Sequence, residues 1–183
     1  MEGQKSRQSE MAVLGGGCFW CTEAVFQGLQ GVLEVVPGYC GGPDPEPRYA
    51  DVCTGTTGHV EVVRVTYDPA ELDFPTLLEI FFATHDPTTP NRQGNDVGPQ
   101  YASVIFTQSE TQRAQAQDVI AKAEQILGVP VVTELREPLP FWPAEAEHLG
   151  YYDRHPWQGY CQFVIAPKLA KLRQQFGERL RRA

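Results

Sequence analysis

Met11-Ala12-Val13-Leu14-Gly15-Gly16-Gly17-Cys18-Phe19-Trp20-Cys21 is the stretch whose reading decides the fold. Met11 to Leu14 form a short apolar run with strand character. From Cys18 to Leu29 the apolar residues Phe19, Val25, Phe26 and Leu29 recur on a helical period. A strand, a glycine turn and the start of a helix are therefore predicted to meet at Cys18. A helix start leaves backbone N–H groups unpaired at the positive end of the dipole, which favours a thiolate and draws a cysteine below its free pKa of about 8.5. Cys18 is thus a candidate nucleophile. The competing reading is a buried cysteine acting as a small hydrophobe, as most free cysteines do.

Outward from this junction the pattern is α+β. Gly31 to Tyr39 reads as a strand, Cys40 to Thr57 as a Gly-, Pro- and Asp-rich loop, and His59 to Tyr67 as a strand with clear apolar–polar alternation. Asp73 and Pro75 open a short helix that runs to Ala83. His85 to Pro99 is a second turn-rich loop. A strand at Tyr101 to Thr107, a helix from Ser109 to Leu127 with Ser109 as N-cap, and a strand at Val131 to Leu135 follow. This order predicts an antiparallel or mixed sheet with helices packed on it. Beyond Pro138 the chain becomes aromatic and irregular until Pro167 opens a last helix; a long loop of this kind in a compact domain is usually functional.

Composition bounds the function. The chain has 183 residues, enough for one domain with a full core. With 15 Lys plus Arg against 23 Asp plus Glu, the net charge of -8 argues against a nucleic-acid partner. The basic run from Arg173 to Arg182 reads as an amphipathic helix with a solvated face. No apolar stretch approaches a membrane span. Residues 1–10 lack the apolar core of a signal peptide and read as a disordered leader, leaving residues 11–183 as one catalytic domain. A cytoplasmic location is expected. In that setting five cysteines suggest catalytic or redox thiols rather than a disulfide framework.

The loops carry the unusual chemistry. Phe19 and Trp20 beside Cys18 suit either an apolar wall for a small hydrophobic group or plain core packing. Glu61 lies in a strand among valines, where partial desolvation would raise its pKa and make it a general acid; most strand glutamates simply face solvent. Tyr39 and Tyr101 could donate to a polar substrate oxygen, or pack as amphipathic strand-end residues. His59 and His85 have no metal spacing with a cysteine pair and read as structural.

The segments GGGCFWC (15–21), GYCGG (38–42), CTGTTGHVEV (53–62), HDPTTPNRQGNDVGPQY (85–101) and AEHLGYYDRHPWQGYC (146–161) resemble those of the peptide methionine sulfoxide reductase A family, in the same order. The resemblance implies that Cys18 is the nucleophile, that Phe19 and Trp20 line the pocket for the substrate methyl group, and that Glu61 is the proton donor. It also implies that Tyr39, Asp96 and Tyr101 hold the sulfoxide oxygen and nearby water. Other implications are reduction of the S form of methionine sulfoxide, free or protein-bound, no cofactor or metal, and recycling by thioredoxin or a similar dithiol. The implied fold is a ferredoxin-like two-layer α/β sandwich with long peripheral loops and a C-terminal coil.

The sequence departs from the common family pattern at Cys21 and Cys40. Cys161 matches a family recycling position, while Cys21, three residues from Cys18, is close enough on a helix for a local disulfide. Cys161 is favoured as the resolving thiol, with Cys21 as its competitor. Cys53 reads as structural. Three other classes remain to be weighed: a thioredoxin-type CxxC oxidoreductase using Cys18 and Cys21, a zinc module, for which no second ligand pair is spaced, and a cysteine hydrolase, which would need His59, His85, His148 or His155 at Cys18.

Overall fold

The protein is described by a computed structural model covering residues 8–182. Met1 to Arg7, most of the expected leader, lie outside the described residues; Glu10, also assigned to it, already belongs to a strand. In chain order the elements are β1 (Glu10–Gly16), α1 (Phe19–Gln27), β2 (Val32–Cys40), α2 (Tyr49–Val52), β3 (Val60–Tyr67) and α3 (Phe74–Ala83). They continue with β4 (Arg92–Gln93), β5 (Asp96–Val97), β6 (Ser103–Phe106), α4 (Glu110–Leu127), β7 (Glu134–Arg136), β8 (Trp142–Pro143), α5 (Tyr151–Arg154) and α6 (Ala166–Phe176).

Six strands form one sheet in the order β7-β6-β1-β3-β2-β8, antiparallel except for the β6–β7 pair. Strands β4 and β5 make a separate hairpin. The fold is therefore α+β with a mostly antiparallel sheet. In β3 the strand period of two sends Val63, Val65 and Tyr67 into the main core, under Phe19, Val25 and Phe26 of α1 and Leu77, Leu78 and Phe81 of α3. Val60 and Val62 point to the other face, where Val13, Cys40, Val104 and Phe106 form a second cluster closed by Phe141. Glu61 shares the parity of Val63, so its carboxyl is directed to the helix-covered side.

Local signals account for the helix ends. The Asp73 carboxylate accepts from the Thr76 amide with proline in the first turn, and the Ser109 hydroxyl accepts from the Gln112 amide. Gly128 ends α4 at φ 70°. The C-terminal part corrects one expectation: it is not coil. It contains the short helix α5, a wide helical turn at Cys161–Ile165 and α6, which Pro167 opens as the sequence indicates. Tyr101, expected in a strand, ends a tight turn at Pro99–Tyr101.

Candidate active site

The glycine turn brings β1, β3 and α1 together at Cys18. A side chain at Gly15 would lie 2.8 Å from Val104 Cγ1 and 3.1 Å from the Glu61 carbonyl, so only glycine permits this approach of β1 to its neighbours. Gly17 turns the chain at φ 97°. Cys18 then sits at the N-cap of α1, where its carbonyl accepts from the amides of Cys21 (3.1 Å) and Thr22 (3.4 Å). Cys21 occupies the third helical position, and side chains at the N-cap and that position face each other. The two thiols are hydrogen-bonded.

The predicted depression of the Cys18 thiol is reversed. Burial, the hydrogen bond with Cys21 and the negative charges of Cys21 and Glu61 push Cys18 well above the ordinary thiol value. Desolvation outweighs the helix start because Cys18 is only 8% exposed. The depressed member of the pair is Cys21, drawn to about 7 by its hydrogen bond with Cys18 and by the Lys168 ammonium, against burial. Two buried thiols sharing a hydrogen bond lose their first proton as a pair, so one thiolate is available between them near neutral pH.

Glu61 is 1% exposed. Its Oε1 accepts the amide N–H of Phe19 at 3.2 Å, while Oε2 is buried with no partner among the described residues. Burial raises this carboxyl to about 8, with Asp96 and Cys21 adding repulsion. At neutral pH it holds its proton. Tyr39 stands directly opposite Glu61 in the β2–β3 register. Its hydroxyl donates to Glu145 Oε1 (2.9 Å), and Glu145 Oε2 accepts the Tyr49 amide (3.0 Å). Burial, then the Glu145 contact, pushes the Tyr39 phenol far up, so it remains a donor.

Tyr160 donates to Asp96 Oδ2 (2.7 Å) and lies 3.4 Å from Cys21 Sγ. Cys18, Cys21, Cys161 and Ile165 form an apolar cluster bordered by Trp20, Tyr101, Tyr151 and Tyr160. An open cleft of about 840 Å³ leads from the surface to Cys18 and Cys21, past His85, Asp96, Tyr160 and Lys168.

Most of the predicted site residues converge here, but two are placed differently from the expectation. Phe19 is fully buried against Tyr39, Tyr49 and His148 as part of the core. Trp20 is half-buried, with its face covered by Tyr151 at 3.7 Å between ring centroids and 6° between planes, and its Nε1 donating to His148 Nδ1 (3.1 Å). The wall expected for a methyl group is thus covered by protein. Cys40 lies on the opposite face of the sheet, where burial raises it to about 11. Cys53 is exposed at the end of α2. His59 accepts the Gly42 amide and bonds the Asp44 carbonyl, and His85, lowered to about 4 by burial, bonds the Phe81 carbonyl and Ser103. Both are structural, as read from the sequence, and no histidine among the described residues hydrogen-bonds Cys18.

The residues alone give no role in sulfoxide reduction to Tyr49, Glu145, His148, Tyr151 or Tyr160. The aromatic stretch after Pro138 signalled the last three; nothing marked Tyr49 inside its Gly- and Pro-rich loop. Among the described residues, Glu145, Glu147 and His148 offer ligand atoms within 4.8 Å of one another, but both Glu145 oxygens are already engaged by Tyr39 and Tyr49.

A family model described as peptide methionine sulfoxide reductase matches residues 10–180. The chain belongs to this family. It is 57% identical over 173 residues to the peptide methionine sulfoxide reductase MsrA of Chromobacterium violaceum, covering 93% of this chain and 98% of the relative. It is 55% identical over 172 residues to the MsrA of one Thermus thermophilus strain, covering 94% and 98%. Among solved structures, the fold is similar to reduced Mxr1 of Saccharomyces cerevisiae at a TM-score of 0.79 with 30% identity, covering 87% of this chain and 92% of that one. The family makes the chain an oxidoreductase acting on methionine sulfoxide, which sets aside the thioredoxin-type, zinc-module and hydrolase readings of Cys18.

Proposed function

We propose that this site reduces the S epimer of methionine sulfoxide, free or within a polypeptide, with Cys18 as nucleophile and Glu61 as proton donor. The observation that carries the reading is the buried, unpartnered Oε2 of Glu61, on a carboxyl fixed by the amide of the residue after Cys18 and raised to about 8 by burial. A sulfoxide sulfur becomes electrophilic when its oxygen is protonated, so the reaction needs a thiolate and an acid in one enclosed place. A proton moving from Cys18 to the Cys21 thiolate supplies the nucleophile.

Attack of the Cys18 sulfur on the substrate sulfur, with proton transfer from Glu61 to the oxygen, forms a sulfur–sulfur bond; the hydroxyl then passes to the Cys18 sulfur as that bond and the substrate sulfur–oxygen bond break. The sulfoxide is reduced to methionine, Cys18 is oxidised to a sulfenic acid that retains the oxygen, and the acid is reprotonated from water. Tyr39, opposite Glu61 in the sheet, and Asp96 and Tyr101, which interact with it electrostatically, are assigned to hold the oxygen and its water. Trp20 contributes the apolar side once Tyr151 leaves its face, and Phe19 supports it from the core. Cys161 then condenses with the sulfenic acid, forming a Cys18–Cys161 disulfide and releasing water. Its place in the thiol cluster supports that role. A second reading, a local Cys18–Cys21 disulfide, is favoured by the facing positions of the two thiols at the helix start.

A dithiol such as thioredoxin reduces the disulfide by exchange; yeast Mxr1 has been solved in complex with Trx2. Five free cysteines suit a reducing compartment such as the cytoplasm. No helix among the described residues is long and apolar enough to cross a membrane. Residues 11–183 act as one catalytic domain that includes the recycling segment. The core β1-α1-β2-β3-α3-β6 with strand order β6-β1-β3-β2 supports a ferredoxin-like sandwich.

The test is stoichiometric. Reduced enzyme given methionine S-sulfoxide without a reductant should release about one methionine per chain and lose two thiols. Cys18→Ser should release none at an unchanged melting temperature; methionine from that variant would overturn the assignment.

A further inference from the structure

One turn beyond Cys18 on α1, Glu23 is a carboxylate only 1% exposed that the chemistry above does not use. Both of its oxygens accept from the amide of Gly150, at 3.0 and 3.1 Å, and the Tyr151 amide also faces it. Among the described residues no cation is ion-paired with it: the guanidinium of Arg154 instead donates to the carbonyls of Leu149 and Glu147. Burying a carboxylate against backbone amides alone is costly, and here the amides belong to a segment more than a hundred residues away in sequence. Gly150 is held at φ 64° and ψ 31°, the left-handed conformation that starts α5. The next residue, Tyr151, lies flat on Trp20. Further along, Tyr160 reaches Cys21, and Cys161 is fully buried.

We propose that Glu23 is the positioning residue of the C-terminal segment: through Gly150 it places Tyr151 on Trp20 and keeps Cys161 packed in the cluster with Cys18 and Cys21. The consequence for recycling rests on the reading that Cys161 resolves the sulfenic acid; the positioning itself does not.

The experiment compares Glu23→Met, which keeps volume and removes both acceptors, with Glu23→Gln, which keeps one carbonyl oxygen for the Gly150 amide. In reduced enzyme, at a pH where Glu23, raised to about 7 by burial, is ionised, the rate of maleimide labelling at Cys161 should rise at least about tenfold in Glu23→Met, the population change that a lost hydrogen bond to a charged acceptor produces. Glu23→Gln should stay within about twofold of the unmodified enzyme by the same argument, because one acceptor remains. The single-turnover yield should stay at about one methionine per chain in both, because attack by Cys18 precedes any disulfide. Unaltered protection of Cys161 in Glu23→Met, equal opening in Glu23→Gln, or loss of single-turnover release would each overturn the proposal. If Cys161 opens while disulfide mapping joins Cys18 to Cys21, the positioning stands and the resolving role of Cys161 fails. Should Glu23→Met not fold, hydrogen exchange of the Gly150 amide in the unmodified enzyme decides: strong protection is expected, and exchange at the rate of a free amide would overturn the inference.

Discussion

The sheet with its two inner helices and the segment from Glu145 to Ile165 meet at α1, and they are built by opposite means. In the first, Cys18 and Glu61 sit at the junction of β1, β3 and α1, backed by side chains such as Leu14, Phe26, Val63 and Phe81 that are essentially excluded from solvent. In the second, few side chains are buried, and Trp157 and Phe163 are 68% and 82% exposed. It is tied to the rest by single polar contacts: Glu145 to Tyr39, His148 to Trp20, Gly150 to Glu23, Tyr160 to Asp96. The difference suits the two halves of the reaction. Sulfoxide reduction needs a thiolate and an acid fixed in a dry site. Disulfide exchange needs a thiol that can be packed away and then released to a reductant.

Three measurements would break or sharpen that contrast. The largest effect is expected in the rigid half. Glu61→Gln should lower the rate of sulfoxide reduction by about 10² to 10⁴, with little change in KM, since the proton is needed in the transition state. The unmodified enzyme should show a bell-shaped pH profile. It rises as the thiol pair ionises near 7 and falls as Glu61 loses its proton near 8, because the acid works only when protonated. Loss of the alkaline limb in Glu61→Gln is the accompanying result; a defect confined to KM would leave Glu61 as a binding residue only.

The next effect belongs to the loosely tied half. Cys161→Ser should still release about one methionine per chain, because attack by Cys18 precedes any disulfide, but cycling with a dithiol should slow by about tenfold or more, with the Cys18 sulfenic acid trapped by a dimedone-type probe. Cycling at the unmodified rate with a Cys18–Cys21 disulfide would assign resolution to Cys21 and bring both halves of the reaction onto the helix start.

The smallest effect concerns the contact between them. Cys21→Ala removes the hydrogen bond and the shared proton, leaving Cys18 with its burial. Alkylation of Cys18 should then shift to higher pH, above the midpoint near 7 expected for the pair. An unchanged midpoint would mean that the helix start alone sustains the Cys18 thiolate.

The β1–turn–α1 junction was legible because three kinds of local signal agree there: an apolar run, glycines and a helical period. The caps at Asp73 and Ser109 were legible for the same reason, each being a short polar side chain before a periodic stretch. Glu61 was recognisable as unusual from its valine neighbours. The charge state of Cys18 was not legible on local grounds: the helix dipole acts within one turn, whereas the desolvation that reverses it comes from α6 and the segment carrying Cys161, far along the chain. Glu23 gave no signal, because a glutamate in a helix is ordinarily solvated and only the fold places Gly150 over it.

What the sequence by itself determined is therefore the order of most elements, the placement of Cys18 at a helix start, the strand that sets Glu61 among valines and, through its motifs, the family. These depend on interactions between residues near in the chain, where periodicity and capping are written directly. The tertiary structure alone decided that the Cys18 thiol is held above its ordinary value, that Tyr151 covers Trp20, and that a buried acidic side chain ties α1 to the segment carrying Cys161. Each depends on desolvation and hydrogen bonds between residues distant in sequence, and no local pattern encodes which distant group excludes the water.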